Sequence, residues 1–243
     1  MNGQFTVWHH ETIGSTNDEA RRLALEGAPH GTAVHADEQT AGRGRLAHSW
    51  FSPPGNLYIS VLLRTGQPVS RAAELSFVAA LAVADTVDML LPRQTRAMLK
   101  WPNDVLVNGA KIAGILLEQA DDATVIGIGL NVLEAPPNAA YKTTTIVSNA
   151  GIASVDSARD ILLERLEHHL AVWQAGGFAP VRQNWLARSY PPGAAIRVNS
   201  AQGPIAGQFA GLSDDGALLL DTQQGQIRIV AGDVAPASDQ AGV

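Results

Sequence analysis

The chain reads as an α+β protein with a small all-β unit at its C-terminal end. Three observations predict this. Short apolar strands surround two long helical patterns, near 70–91 and 154–175. An Asn108-Gly109 pair stands between two apolar runs, the dipeptide that suits a type I′ hairpin because both central residues need positive φ. Beyond Pro191-Pro192 only short strands and glycine-bearing turns remain.

Residues 4–10 (QFTVWHH) read as a strand, and the spacing of Thr16 and Glu19 predicts a capping box opening a helix that Gly27 and Pro29 stop. TAVHADEQ (32–39) is a strand running into TAGRGRLAHSW, which has neither a strand nor a helix period and is read as a loop. NLYISVLLR (56–64) is a buried strand, followed by an alanine-rich buried helix from Ser70 to about Leu91. VLVNGAKIAGILLE gives the hairpin, and TVIGIGLNV (124–132) a further strand whose Gly127 and Gly129 mark a close approach by a ligand or other atoms. Helices follow from Ser154 to Ala175, ended by Gly176-Gly177, and over 178–189. AIRVNS, PIAGQFAGL, GALLLD and QIRIVAG then predict a small β-barrel of roughly 45 residues, with the double proline as the boundary.

The bulk properties exclude several classes. Of 243 residues, 46% are apolar and 16% charged, as in a folded globular protein. No apolar run reaches the ~18 residues of a membrane span, and the N-terminus lacks a signal-peptide pattern. With no cysteine, disulfides and thiolate chemistry are out, and a cytoplasmic location is the expectation. A net charge of −6 argues against nucleic acid as a partner. P-loop, GxGxxG and GxSxG signatures are absent; His9-His10-Glu11 and His168-His169 lack zinc-site spacing and read as surface histidines.

Three segments carry possible chemistry. Gly42-Arg43-Gly44-Arg45 combines free backbone N–H groups with two guanidinium forks, a good cradle for an α-phosphate; its bland alternative is a solvated basic turn. In Lys100-Trp101-Pro102-Asn103-Asp104 the proline breaks a strand ladder, and Asn103 and Asp104 offer oxygen ligands for Mg²⁺; otherwise it is a turn with solvated ends. Lys111 stands in an apolar strand, either at an exposed edge or pointed into a site.

Taken in order, Ser15-Thr16-Asn17, Gln39 with Ala41-Gly42-Arg43-Gly44-Arg45, KWPND at 100–104, Lys111-Ile112-Ala113-Gly114 and Gly129-Leu130-Asn131 resemble the catalytic core of biotin–protein ligases. The resemblance implies a mixed sheet flanked by helices, as in class II synthetases and biotin–lipoate ligases, over residues 1–190, and an SH3-like β-barrel with a short tail over 191–243. It implies biotin contacts from Ser15, Thr16, Asn17, Gln39, Gly42, Arg43, Gly44, Arg45, Lys111 and Gly114. Arg45, Trp50, Asn103, Asn131 and Lys111 would face the nucleotide, with Trp50 covering the adenine. Arg43, Arg45, Lys100, Asp104 and Lys111 would be the catalytic set, and Asn103 and Asp104 the Mg²⁺ ligands. The implied reaction activates biotin with MgATP to biotinyl-5′-AMP and transfers biotin to a lysine of a biotin carboxyl carrier domain of a carboxylase. A free sheet edge would allow a homodimer.

The family follows GRGR with a second Gly-Arg pair, where this chain has Ala47-His48, so adenylate retention is expected to differ. Ser15 stands too near the start for a preceding DNA-binding domain, and with the acidic balance this makes DNA an unexpected partner. Two rivals remain. One is a lipoate- or octanoate-transferring enzyme, which would need an apolar tunnel that Ser15, Thr16 and Gln39 do not suit. The other is a catalytically inactive biotin sensor.

Overall fold

In the computed structural model, which describes residues 5–68, 71–137, 139, 141–200 and 203–236, the sheet begins with a parallel pair of strands. β1 (Thr6–Ile13) runs alongside β2 (Thr32–Gln39), joined through α1 (Thr16–Leu25). The remaining strands are antiparallel: β3 (Leu57–Leu63), β4 (Ala97–Lys100), β5 (Asp104–Val107), β6 (Ala110–Ala120) and β7 (Ala123–Leu130), in the order β1-β2-β3-β7-β6-β5-β4. The mixed sheet flanked by helices is therefore as the sequence predicts.

The strand period of two divides the residues between the faces. Leu57, Ile59, Val61 and Leu63 of β3, with Ile126, Ile128 and Leu130 of β7, join the large core. There α2 (Glu74–Leu90) packs between the sheet and α3 (Val155–Gly176) and α4 (Phe178–Leu186). Being covered on both sides, α2 is apolar nearly all round. Its outer neighbour α3 buries only one stripe, Ala158, Leu162, Leu166, Leu170 and Trp173, spaced three and four apart. The other sheet face carries α1, seated through Ala20, Leu23 and Ala24 on Val34, Leu62 and Val125. The rest of that face stays open.

Several expectations need adjusting. The Thr16–Glu19 capping box does not form: Ser15 is the N-cap without a side-chain cap, and Glu19 instead pairs with Arg22. The Thr16 N–H is satisfied by Gln39 Oε1 at 2.9 Å, a cap supplied from β2. Ser70, where the sequence starts α2, lies outside the described residues, and the described helix begins at Glu74. Helix α4 ends at Leu186, before the expected 189. His169 is not a surface residue; it is 6% exposed and lies 2.8 Å from Asp85, tying α3 to α2. The Asn108-Gly109 turn has φ of 51° and 76°, as a type I′ hairpin requires.

Beyond the double proline, β8 (Ala195–Ser200), β9 (Gly203–Leu212), β10 (Leu218–Thr222), β11 (Gly225–Ile229) and β12 (Asp233–Pro236) form a five-stranded antiparallel sheet in the order β11-β10-β9-β8-β12. The sequence pattern showed four of these. β12, ending on a proline, has no alternation long enough to reveal it. Its apolar face, with Ile196, Val198, Phe209 and Leu220, joins the large core. The Trp101 indole N–H donates to Gly216 O at 3.1 Å, linking the KWPND turn to this sheet. Among the described residues no helix is long and apolar enough to cross a membrane.

Candidate functional site

The open face of the large sheet carries a trough of about 1930 Å³, and strand register builds its floor. One cross-strand row runs Lys100, Asp104, Gly114, Gly129, Tyr58; the next runs Leu116, Gly127, Ser60. The two rows explain the glycines. A Cβ on Gly129 would stand 2.5 Å from the Trp50 indole, and one on Gly114 2.8 Å from it. A Cβ on Gly127 would stand 2.1 Å from Asn17 Oδ1. The close approach expected at Gly127 and Gly129 is thus made by the protein's own Asn17 and Trp50.

At one end of the trough a polar pocket forms where α1 begins. Gln39 Oε1 accepts from Thr16 N (2.9 Å) and Thr16 Oγ1 (3.1 Å), while Gln39 Nε2 donates to Ser52 Oγ at 3.1 Å. The Ser60 hydroxyl lies 2.8 Å from Thr16 Oγ1 and 2.5 Å from Asn17 Oδ1, and Asn17 Nδ2 donates to Glu118 at 2.7 Å. Thr16, Asn17 and Ser60 are buried, so this network holds their polar atoms in fixed positions, and Ser15 is buried beside them at the helix start. Ser60, Ser52 and Glu118 are site residues that motif reading missed. Ser60 did leave a signal, since a serine inside the apolar run LYISVLL needs a buried partner.

The other end is cationic. Lys111 points into the trough because of a β-bulge. Register shifts opposite Val105 and Leu106, so that Ala113 faces Val105 while Lys111 faces Leu106, leaving Ile112 extra. Ile112 and Ala113 both turn into the core, and Lys111 shares the open face with Gly114. Lys111 Nζ lies 2.6 Å from Asp104 Oδ1 and between the rings of Trp50 (5.3 Å) and Tyr141 (5.2 Å). Lys100 Nζ holds the other Asp104 oxygen at 2.9 Å and Asp233 of β12 at 3.0 Å. Burial alone would raise the Asp104 pKa, but the Lys111 and Lys100 ammoniums hold its carboxyl below the ordinary range.

This arrangement does not suit Mg²⁺ at the residues expected to hold it. Both Asp104 oxygens are occupied by ammonium groups, and a dication there would face two positive charges. Asn103 Oδ1 accepts from Arg45 at 3.3 Å and its amide donates to Ile115 O at 2.7 Å. Asn131 lines the trough, but its amide N–H is tied to Thr144 O.

The arginine loop folds back on itself. Gly44 N donates to His48 O (2.7 Å) and Trp50 N to Gly42 O (2.9 Å), enclosing a short 3₁₀ turn, Arg45–Ala47. Gly42 lies behind the trough, where a Cβ would meet Ser52 Oγ at 2.5 Å, so side-chain space rather than phosphate contact demands glycine there. Arg43 lines the trough while donating to both Asp18 oxygens at 2.6 and 2.7 Å, with Glu118 at 3.5 Å. Arg45 reaches Asn103 and Gly232 O, joining the loop to the C-terminal sheet. Trp50 lies flat over the Gly114–Gly129 floor. One trough is thus lined by Arg43, Gly44, Arg45, Trp50, Lys100, Asn103, Asp104, Lys111, Gly114 and Asn131 together with Ser15, Thr16, Asn17 and Gln39.

This fold matches that of solved biotin protein ligases. The Aquifex aeolicus enzyme, solved in complex with biotin and ATP, matches with a TM-score of 0.82 and 28% identity over 95% of this chain and 97% of that one. The chain belongs to the Biotin/lipoate A/B protein ligase family, whose profile matches residues 10–132; that of the Biotin protein ligase C terminal domain matches 193–235. Among curated relatives, the biotin–[acetyl-CoA-carboxylase] ligase of Paracoccus denitrificans is 40% identical over 90% of this chain and 96% of its own length. The bifunctional ligase/repressor BirA of Bacillus subtilis is 35% identical over 96% of this chain and 74% of its own length.

Proposed function

We propose that this chain is a biotin–protein ligase. It joins biotin and MgATP to give biotinyl-5′-AMP and pyrophosphate, then passes the biotinyl group to a lysine of a carboxylase's biotin carrier domain. The observation that carries this reading is the bulge that aims Lys111 into a trough ending in a buried polar pocket. A cation there can meet both the carboxylate that attacks and the phosphate that is attacked. Residues 1–190 would form the catalytic unit and 191–243 the smaller one, with the cytoplasm as its location.

The pocket of Ser15, Thr16, Asn17 and Gln39 fits a neutral ureido ring, which both donates and accepts hydrogen bonds. A ligand without those groups would leave the pocket unpaired, which favours biotin over lipoate or octanoate. In the first step a biotin carboxylate oxygen bonds to the α-phosphorus and the bond to pyrophosphate breaks. Lys111 and Arg45 stabilise the negative charge that builds at this centre. Asp104 and Lys100 act by positioning, holding Lys111 through short ion pairs. Mg²⁺ arrives as part of the nucleotide substrate. In the second step the carrier's lysine amine bonds to the acyl carbon and AMP leaves. No enzyme nucleophile is needed.

The Arg43–Asp18 pair is a cheap latch. Arg43 is 32% and Asp18 51% exposed, so solvent screens their bidentate pair and lowers what it contributes. Arg43 can therefore leave Asp18 for an anionic adenylate at little cost, letting the loop close over it.

The test is pyrophosphate release on mixing the protein with biotin and MgATP. Release with biotin and none with lipoate supports the reading, whereas release with lipoate alone would transfer it to the rival acyl group. No release with either would favour an inactive sensor.

Two smaller effects are expected. In Gly127→Ala the new Cβ displaces Asn17 from Ser60 and Glu118, so KM for biotin should rise about tenfold, as for one lost buried hydrogen bond, with KM for ATP unchanged. Equal rises in both KM values would mean general loosening. His48 is exposed at the trough's rim. His48→Arg adds a permanent charge and should slow biotinyl-AMP release roughly two- to fivefold, the range of an exposed ion pair. An unchanged release rate removes His48 from the account.

A further inference from the structure

On the sheet face opposite the trough, β1 and β2 bring together three side chains that no part of the ligase chemistry uses. His9 and His35 are register partners across the parallel pair, with ring centroids 5.2 Å apart, and Asp37 follows two residues after His35 on the same face. One ligand atom from each lies within 4.8 Å of the other two, and His9 Nε2 stands 3.0 Å from Asp37 Oδ1. His35 is 1% exposed, yet neither of its ring nitrogens has a hydrogen-bond partner. A buried imidazole with an unmet donor and an unmet acceptor is rare in a folded protein and calls for a missing partner.

We propose that His9, His35 and Asp37 form a divalent transition-metal site, with Zn²⁺ as the preferred ion and water at the remaining position. Two imidazoles and a carboxylate are a donor set that Zn²⁺ accepts, whereas Mg²⁺ and Ca²⁺ prefer oxygen ligands. Donors around tetrahedral Zn²⁺ stand about 3.3 Å apart, so closure needs shifts of up to about 1.5 Å. His9 and Asp37, with side chains 49% and 47% exposed, are free to make them, and His35 supplies the fixed point. The nearest other charges balance: Arg159 of α3 is paired with Asp156 and Asp160, leaving no uncompensated cation against the site.

Linear spacing misses this constellation because its ligands come from two strands. Its effect would be mechanical. Among the described residues β1 is an edge strand whose strand partner is β2, and three register positions beyond His35 the same pairing reaches Glu38, then Gln39 opposite Ile13. A bound ion staples β1 to the strand that presents Gln39 to the polar pocket.

The test uses untagged full-length protein stripped with a chelator and titrated with Zn²⁺ against a chromophoric competitor, with thermal unfolding measured in parallel. Wild type is expected to take up one tightly held Zn²⁺ per chain and to gain in Tm. His9→Ala and Asp37→Ala, both at exposed positions that leave the core intact, should each bind at least tenfold more weakly and lose the Tm gain. His168→Ala, which alters an exposed histidine elsewhere, should behave as wild type. Absence of tight uptake by wild type, or wild-type affinity in either the His9 or the Asp37 variant, would overturn the site.

Discussion

Lys111→Met is expected to lower the rate of biotinyl-AMP formation by about 10²–10³-fold, the usual effect of deleting a group aimed at developing charge. Its ammonium is the one cation that the bulge at Ile112 places on the glycine floor, 2.6 Å from Asp104 and between two aromatic rings. Methionine fills the same slot between Trp50 and Tyr141 but carries no charge. Folding should survive, because Asp104 keeps Lys100 at 2.9 Å as a partner. Single-turnover pyrophosphate release would read the effect. A loss below about tenfold would show that Lys111 serves only the Asp104 network.

The second large effect falls on stability. Asp104→Asn should destabilise the protein by about 3 kcal/mol near neutral pH, as expected when one partner of a buried ion pair is removed. Lys100 would retain Asp233, while Lys111 would lose the carboxylate it pairs with. The pH dependence has a definite sign. A carboxyl whose folded pKa is depressed stabilises the protein above its unfolded value of 3.8, and that contribution disappears as pH falls through the folded value. The gap between wild type and Asp104→Asn should thus be widest at neutral pH and close below pH 3.8. Urea unfolding across this range checks it; a gap that stays constant into acid would mean the lysines gain nothing from the charge.

What could be read from the chain, and what could not, follows from the range of the interactions involved. β2 was legible to the residue because TAVHADEQ runs directly into a glycine- and arginine-rich break, and Asn108-Gly109 announced its turn through a local φ requirement. The start of α1 was misread. Thr16 and Glu19 have the spacing of a local cap, but the bond that caps the helix comes from Gln39, 23 positions away. Long-range partners of this kind leave no period.

The site was legible as a set of residues and illegible as a geometry. Motif order collected Ser15, Gln39, Arg45, Lys100 and Lys111, and all of these line one trough. Nothing in AKIAGILLE announces a bulge, so whether Lys111 stood at an exposed edge or pointed into a site stayed open until register decided it. The Mg²⁺ expectation at Asn103 and Asp104 rested on residue type alone. It did not anticipate that two lysines, one before the turn and one across the hairpin, would claim the same carboxylate. Ser60 and Glu118 escaped because a buried network is defined by partners rather than by a motif.

The most direct measurement is the mass of a purified biotin-acceptor domain after incubation with this protein, biotin and MgATP, with each component omitted in turn. A gain of one biotinyl group that requires every component is the expected result, and Lys111→Met should abolish most of it within the same time. An acceptor of unchanged mass, competent toward another biotin ligase, would contradict the assignment.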